Sequence, residues 1–178
     1  MDIFFAVNDA YARQLSTAIV SIAENNKSSP LDFHILTTDF SAISRRRLEK
    51  ICLFHKNVSF TYHQPDVARL EKLALNIDYI SVETYFRYLI AEIAPGLDKC
   101  LYLDADIVVN GSLEPLWNMP LGDNYCAGVE DLFIIRQNYK PKIGFAANDL
   151  YVNAGVLLLN LRKIRADGMG QKLIDNTE

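Results

Sequence analysis

The first third of the chain alternates between apolar runs and amphipathic stretches, and this alternation restricts the possible folds more than any other feature. Runs typical of buried strands lie at residues 2–7, 31–37 and 58–62. Between them, apolar residues recur at helical spacing in residues 11–25, and a second helix is predicted from Asp39 or Ser41 to about Phe54. This order is typical of a parallel sheet covered by helices on both faces, so we predict an α/β fold.

The rest of the chain continues the same pattern. In chain order we predict a helical or irregular segment at 66–76, a helix from Ser81 or Thr84 to Ile93, a strand ending before Asp104, a helical turn from Ser112 to Trp117, strands at 125–129 and 155–159, and a last helix capped by Asn160. No repeat, low-complexity stretch or linker interrupts this order, and 178 residues are enough for one domain with its own core. We therefore predict a single domain over residues 1–178.

Two aspartates, Asp104 and Asp106, follow an apolar strand-like run. Residues two apart in an extended chain point to the same side, so both carboxylates should face one point at the end of the strand. Two close carboxylates repel each other, and a hard divalent cation such as Mg²⁺ or Mn²⁺ removes that repulsion. Because such ions usually bridge to substrate phosphates, the pair predicts an enzymatic metal site; an ordinary surface pair of acids is the alternative.

Polar residues also follow two other predicted strands. Asn8 and Asp9 follow the first strand, and Glu130 and Asp131 follow the fifth. Ligands of open α/β sheets bind at the carboxyl ends of the strands, so these residues and the aspartate pair predict one acidic, metal-binding crevice. Asn8 and Asp9 also fit a helix cap, and Asp9 fits a hydrogen bond to a base or a ribose.

Two further positions have both an ordinary and a functional interpretation. Arg87 is either an arginine on a helix surface or a guanidinium that neutralises a pyrophosphate or holds a neighbouring carboxylate. The segment at residues 151–156 is either a turn before a strand or a stretch in which Asn153 and backbone amides reach the hydroxyls of a sugar. In the second case, Ala154 and Gly155 would allow the ligand to approach the backbone closely.

Composition argues against several other classes of protein. The net charge of −4 does not favour a nucleic-acid partner, and no GxxxxGK[ST] loop, GxGxxG loop or serine nucleophile elbow is present. The three cysteines lack CxxC spacing, which fits a reducing compartment. The apolar run at residues 1–7 is short and has an acid where a basic n-region belongs, so we expect no signal peptide, and no apolar run has the length of a membrane span. We therefore expect a cytoplasmic protein.

Five segments stand out as a set. They are MDIFFAVND at residues 1–9, TYFR at 84–87, LYLDADIVV at 101–109, LEPLW at 113–117 and YVNAGVLLLN at 151–160. In this order they resemble the family 8 glycosyltransferases, which include bacterial lipopolysaccharide galactosyl- and glucosyltransferases and the glycogenins. The likeness extends over essentially the whole chain.

The resemblance implies a GT-A (Rossmann-like) fold, a mixed but mostly parallel sheet flanked by helices. It implies a retaining, Mn²⁺- or Mg²⁺-dependent transfer of a hexose from UDP-galactose or UDP-glucose to a glycan acceptor, such as lipopolysaccharide core or another lipid-linked glycan. Asp104 and Asp106 would bind the metal, and Asp9 would contact the base. Arg87 and Asn153 would hold the donor sugar, Asp131 would face the sugar or the acceptor, and Asp131 and Asn153 would be the catalytic residues. The donor would contact Asn8, Asp9, Tyr11, Arg87, Asp104, Ala105, Asp106, Asn153 and Ala154.

The family pattern continues with motifs that this sequence does not contain. They are an Asp-Gln-Asp segment and a His-x-x-Gly-x-x-Lys-Pro-Trp motif, whose His completes the metal site and whose Lys contacts phosphate. We therefore expect a nucleotide-binding part truncated at its C-terminus, with an incomplete metal shell, weak UDP binding and poor turnover. Apolar surface uncovered by the truncation predicts a homo-oligomer, and the family implies peripheral contact with the inner membrane.

Two other functions remain open at this point. A phosphatase-type Asp-x-Asp phosphotransferase also places a nucleophilic aspartate after an apolar strand, although that strand is usually the first of its fold. A non-catalytic domain would bind a nucleotide-sugar without turnover. A trapped phospho-aspartate would favour the first, and nucleotide binding without transfer or hydrolysis would favour the second.

Overall fold

Six strands form one sheet in the computed structural model, which describes residues 1–70, 73, 81–146 and 148–176. They are β1 (Asp2–Ala6), β2 (Leu31–Leu36), β3 (Val58–His63), β4 (Cys100–Leu103), β5 (Cys126–Glu130) and β6 (Val152–Leu159). Their order across the sheet is β3-β2-β1-β4-β6-β5. Strands β1 to β4 run parallel, whereas β6 is antiparallel to both β4 and β5. The prediction of a mixed, mostly parallel α/β sheet is confirmed.

Helices flank this sheet. The α-helices are α1 (Ala12–Asn25), α2 (Ala42–Glu49), α3 (Ile51–Phe54), α4 (Ile90–Ile93), α5 (Glu114–Trp117), α6 (Leu132–Arg136), α7 (Leu161–Ala166) and α8 (Met169–Asp175). Short 3₁₀ helices lie at Asp9–Tyr11, Val67–Leu70, Val82–Leu89 and Lys140–Ile143. Within the described residues, no helix combines the length and apolar character needed to cross a bilayer.

Several elements differ from the bounds that the sequence predicts. The second predicted helix is divided into α2 and α3, and the helix predicted up to Ile93 begins as the 3₁₀ helix Val82–Leu89. Of the segment predicted at 66–76, the part at 67–70 is a 3₁₀ helix, and residues 71–72 and 74–76 lie outside the described residues.

The last predicted helix is interrupted, and the strand before it is longer than expected. Asn160 caps α7 as predicted, because its Oδ1 accepts a hydrogen bond from Lys163 N at 3.1 Å. The chain then passes through Gly168, whose φ of +59° suits glycine, and starts again as α8. Strand β6 begins at Val152 rather than Gly155, so the turn interpretation of residues 151–156 is wrong.

Strand β1 lies in the middle of the sheet and is covered on both faces. Ile3, Phe4 and Phe5 are all 0% exposed. Ile3 and Phe5 pack in the cluster that contains Leu15 of α1, whereas Phe4 packs on the opposite face with Phe86. Burial of both faces explains why the strand reads as a continuous apolar run rather than an alternating one.

The reversed direction of β6 determines which residues meet at one edge of the sheet. Leu103 at the end of β4 pairs with Val156, so the first residues of β6 lie beside the residues that follow β4. Glu130 at the end of β5 pairs with Val152 at the same edge. The segments after β1, β4 and β5 and the start of β6 therefore converge where α/β sheets bind ligands.

Arg165 fastens α7 to the end of α4. Its Nη1 donates to the carbonyl oxygens of Ala91 at 3.1 Å and Ala94 at 3.3 Å, and its Nη2 donates to the carbonyl oxygen of Leu97 at 2.8 Å. Carbonyl groups at a helix C-terminus lack partners within the helix, so one guanidinium satisfies several such groups at once.

We expect Arg165→Ala to lower the free energy of unfolding by about 1–3 kcal/mol, because it removes the guanidinium donors to the partly buried carbonyl oxygens of Ala91 and Leu97. Arg165→Lys should recover little of this loss, since a single ammonium cannot reproduce the planar fork. Urea unfolding measures the change. The control is Arg162→Ala on the exposed side of the same helix, which should change stability by less than about 0.5 kcal/mol. Equal effects of the two alanine variants would contradict this role of Arg165.

Candidate active site

A cavity of about 290 Å³ opens at the carboxyl ends of β1 and β4. Its wall contains six residues of the predicted site: Asn8, Tyr11, Arg87, Asp104, Ala105 and Asp106. Ser81, Glu83 and Thr84, which the sequence did not single out, complete the side formed by the 3₁₀ helix Val82–Leu89. The fold therefore brings together residues from three separate segments, as expected for strand ends that share one edge.

Arg87 is largely buried, with its side chain 13% exposed, and it contacts its own 3₁₀ helix, the start of β6 and the residue after β4. Its Nε donates to the carbonyl oxygen of Thr84 at 2.7 Å, and its Nη1 donates to that of Ala154 at 2.6 Å. Its Nη2 lies 3.6 Å from Asp104 Oδ1, and its guanidinium stacks 4.4 Å from the centre of the Tyr102 ring. The helix-surface interpretation is therefore wrong, and the structure supports the interpretation in which Arg87 holds a neighbouring carboxylate.

Burial and charge act in opposite directions on Asp104. Burial raises the pKa of its carboxyl group above the ordinary value, and the nearby Asp106 adds to this rise. The Arg87 guanidinium and the Tyr102 hydroxyl favour the charged form and oppose the rise. A partly buried carboxylate next to a second carboxylate is a favourable position for a cation.

Asp104 packs directly against the backbone of β6. Its backbone N–H donates to the carbonyl oxygen of Gly155 at 2.8 Å. A Cβ atom at Gly155 would lie 2.6 Å from Asp104 Oδ2 and 3.1 Å from Asn153 Oδ1. Real Cβ atoms do not approach other atoms that closely, so the position of the Asp104 carboxylate requires glycine at residue 155.

Hydrogen bonds connect Asn153 and Asp131 beside this cavity. Asn153 Oδ1 accepts from Gly155 N at 2.9 Å, and Asn153 Nδ2 donates to Asp131 Oδ2 at 3.2 Å. Asp131 Oδ1 caps α6 by accepting from the N–H groups of Phe133 and Ile134. Asp131 and Asn153 line a separate, neighbouring hollow of about 410 Å³, so they adjoin the aspartate pair without sharing its cavity.

Asp9 has a different environment from the one that the sequence suggested. Its Oδ1 accepts a hydrogen bond from Ser41 N at 2.9 Å, and this bond is the main cause of a lowered pKa of its carboxyl group. Asp9 is not among the described residues that line the cavity. Asn8 precedes the 3₁₀ helix Asp9–Tyr11 but makes no side-chain capping bond. Asp9 therefore connects β1 to the start of α2.

The residues present fit a hard divalent cation. Asp104 and Asp106 place carboxylate oxygens on one cavity wall, and Mg²⁺ or Mn²⁺ is commonly held by one or two carboxylates together with water and substrate phosphates. Among the described residues, no group of three His, Cys, Asp or Glu side chains is placed to share an ion. The pair therefore fits a metal that takes its remaining ligands from water or from a substrate.

Sequence comparison identifies relatives over almost the whole chain. The family model described as Glycosyl transferase family 8 matches residues 2–177. A putative glycosyltransferase of Haemophilus influenzae is 30% identical over 98% of this chain and 53% of its own length. The lipopolysaccharide 1,3-galactosyltransferase of Salmonella typhimurium is 27% identical over 98% of this chain and 52% of its own length. The chain thus spans about half the length of these curated relatives.

A solved structure shows the same architecture. The galactosyltransferase LgtC, solved in complex with donor and acceptor sugar analogues, superposes with a TM-score of 0.84 and 36% sequence identity. The match covers 100% of this chain and 66% of LgtC. The predicted fold class is therefore supported by a whole-chain structural match.

The contact between Gly155 and Asp104 can be tested by a double-mutant cycle. We expect Gly155→Ala to lower the free energy of unfolding by about 1–3 kcal/mol, because the added methyl group overlaps the Asp104 carboxylate. In an Asp104→Ala background the same substitution should cost at least ~1 kcal/mol less, since the overlapping atom is absent. Urea unfolding of the four proteins measures both costs.

Gly111→Ala is the matched control, because a Cβ atom at Gly111 meets nothing within 4 Å. It should change stability by less than about 0.5 kcal/mol in either background. An equal cost of Gly155→Ala with and without the Asp104 carboxylate would contradict the steric explanation.

Proposed function

Because the chain belongs to glycosyl transferase family 8, we propose that it binds a nucleotide-sugar donor in the cavity at the carboxyl ends of β1 and β4 and takes part in hexose transfer to a glycan. The observation that carries this proposal is the shared cavity wall of Asn8, Arg87, Asp104 and Asp106. These residues come from distant parts of the sequence, and each was predicted to contact the donor.

Asp104 and Asp106 are proposed to hold Mn²⁺ or Mg²⁺. When bound, such an ion would neutralise the negative charge of the diphosphate leaving group. Arg87 contributes by fixing the Asp104 carboxylate and the Ala154 carbonyl group in one arrangement. A carboxylate held in this way needs little rearrangement when the donor arrives, which favours binding.

The donor is proposed to be UDP-galactose or UDP-glucose, used with retention of configuration. Names of the relatives support a hexose, since they include a lipopolysaccharide 1,3-galactosyltransferase and a lipopolysaccharide 1,2-glucosyltransferase. Tyr11, which is 46% exposed at the cavity, provides an aromatic face for a base. Galactose and glucose differ in the orientation of one hydroxyl group, so few contacts decide between them.

The acceptor is proposed to be a glycan, such as lipopolysaccharide core or another lipid-linked glycan. Asp131 and Asn153 line the hollow next to the cavity, and we propose that they act at the sugar or acceptor end of the site. Their mutual hydrogen bond gives both side chains a fixed orientation. Homo-oligomer formation and peripheral contact with the inner membrane remain predictions from the sequence.

A second candidate function is nucleotide-sugar binding without turnover. One observation favours it: among the described residues, no group of three His, Cys, Asp or Glu side chains is placed to share an ion. Nucleotide binding without sugar transfer or donor hydrolysis would support this alternative. A phospho-aspartate trapped on Asp104 would instead favour the phosphotransferase interpretation.

Calorimetric titration of UDP, with and without Mn²⁺, tests the proposal. We expect binding that requires Mn²⁺ and that is lost in the Asp104→Asn/Asp106→Asn double variant, because the neutral amides no longer balance the charge of the cation. The matched control is Asp98→Asn/Asp123→Asn, which alters two exposed aspartates that precede β4 and β5 at the opposite edge of the sheet. This control should bind UDP as the unmodified protein does.

Absence of UDP binding in the unmodified protein with Mn²⁺ would refute donor binding by this chain. UDP binding that is indifferent to both the metal and the aspartate pair would refute the metal site while leaving nucleotide binding intact. If UDP binds as expected, titration of UDP-galactose against UDP-glucose identifies the preferred hexose.

A further inference from the structure

Glu83 is a buried acidic residue in the wall of the cavity. It is 6% exposed. Among the described residues, its hydrogen-bond partner is the Thr38 hydroxyl, which donates to Glu83 Oε1 at 3.3 Å. Burying a carboxylate is costly unless several donors or a cation compensate it. One long bond from a hydroxyl satisfies a small part of the capacity of this group.

The nearest candidate cation on the same helix is directed elsewhere. Arg87 follows Glu83 by four residues, but its guanidinium contacts Thr84, Ala154 and Asp104. Four residues of a 3₁₀ helix span roughly 8 Å, which separates the Glu83 backbone from that of Arg87. Arg87 therefore does not pair with Glu83, although a spacing of four residues would suggest such an ion pair in an α-helix.

The contact with Thr38 places Glu83 toward β2, whereas the aspartate pair lies toward β4. The partner of Glu83, Thr38, follows β2, which borders β1 on one side. Asp104 and Asp106 follow β4, which borders β1 on the other side. In a nucleotide the base lies at the end of the molecule away from the diphosphate. A diphosphate held near the aspartate pair therefore directs the base toward Glu83.

Asn8 is a second polar residue in the wall of the cavity. Asn8 Oδ1 is buried and has no hydrogen-bond partner within the described part of the chain. Asn8 follows β1, between the segments that carry Glu83 and Asp104. The carboxylate of Asp9, by contrast, already accepts a hydrogen bond from the backbone N–H of Ser41. Among the described residues that line the cavity, Glu83 is thus the acidic group outside the aspartate pair.

We propose that Glu83 reads the nucleobase of the donor, its carboxylate accepting a hydrogen bond from a ring N–H such as the N3–H of uracil. This inference rests on the proposed function, because it assumes that a nucleotide occupies the cavity. The edge of uracil presents one N–H between two carbonyl oxygens. The carboxylate takes the N–H, and the Nδ2 group of Asn8, another residue of the cavity wall, would donate to a flanking carbonyl oxygen. Hydrogen bonds to a charged, desolvated acceptor are among the strongest in proteins.

The test compares the affinities of UDP and N3-methyl-UDP in the presence of Mn²⁺. Methylation removes the N–H, so the unmodified protein should bind UDP about ten-fold or more tightly than its methyl analogue. In Glu83→Ala this ratio should fall to within about two-fold. In Glu83→Gln it should fall part of the way, because the amide oxygen is a weaker, uncharged acceptor.

Thr38→Val is the structural control, because it removes the hydrogen bond to Glu83 and leaves the carboxylate in place. It should keep the ratio of the unmodified protein. Thermal unfolding checks that the compared variants are folded. If Glu83→Ala does not fold, Glu83→Gln, which keeps the size of the side chain, is the variant in which the affinity ratio is measured.

Three outcomes would overturn the inference. The first is a ratio of UDP to N3-methyl-UDP affinity that is unchanged in both Glu83 variants. The second is loss of this ratio in Asn8→Ala alone. The third is that the Glu83 variants keep this ratio but no longer distinguish UDP from 2′-deoxy-UDP, which would assign Glu83 to the ribose. Failure of the unmodified protein to bind UDP at all would refute the proposed function and, with it, this inference. UDP binding with an unchanged ratio would refute the inference alone.

Discussion

The arrangement of the candidate site depends on one constraint: a carboxylate must lie at the end of a fully buried strand. All four residues of β4 are buried, and Asp104 follows them directly. Desolvation disfavours the charged form of that carboxylate, so the neighbouring segments must compensate it. Arg87 supplies positive charge, and Gly155 supplies space by having no side chain. The 3₁₀ helix before α4 and the start of β6 are therefore both fixed relative to Asp104.

The reversal of β6 extends this constraint beyond the cavity. An antiparallel neighbour brings its first residues, and not its last, to the edge where β4 ends. Asn153 consequently lies next to Gly155 and Asp104, and its side-chain amide donates a hydrogen bond to Asp131. Asp131 in turn begins α6. A parallel β6 would place the same sequence at the opposite edge, and Asp131 would have no link to the aspartate pair.

Much of this arrangement could be predicted from the sequence because it depends on local patterns. The apolar runs of β1 and β4 and the polar residues after them indicated the edge of the sheet at which the cavity lies, and the predicted residues Asn8, Arg87 and Asp106 do line this cavity. The direction of β6 could not be deduced from such patterns, because apolar content does not encode strand orientation. The environments of Asp9 and Glu83 depend on residues about 30 to 45 positions away, Ser41 and Thr38, which no local motif indicates.

Under the proposed function, binding of the metal and binding of the nucleotide are coupled. A pair of carboxylates from this chain leaves most positions around a six-coordinate cation to water and to the donor diphosphate. Each ligand therefore completes the site of the other, and linkage requires the metal to raise the affinity for the diphosphate by the same factor as the diphosphate raises the affinity for the metal. The cost of ordering Asp104 on binding is small, because Arg87 and the side-chain-free backbone at Gly155 already hold its carboxylate in place. Asp106, which is exposed and has no comparable anchor among the described residues, is then the carboxylate that must become ordered when the cation binds.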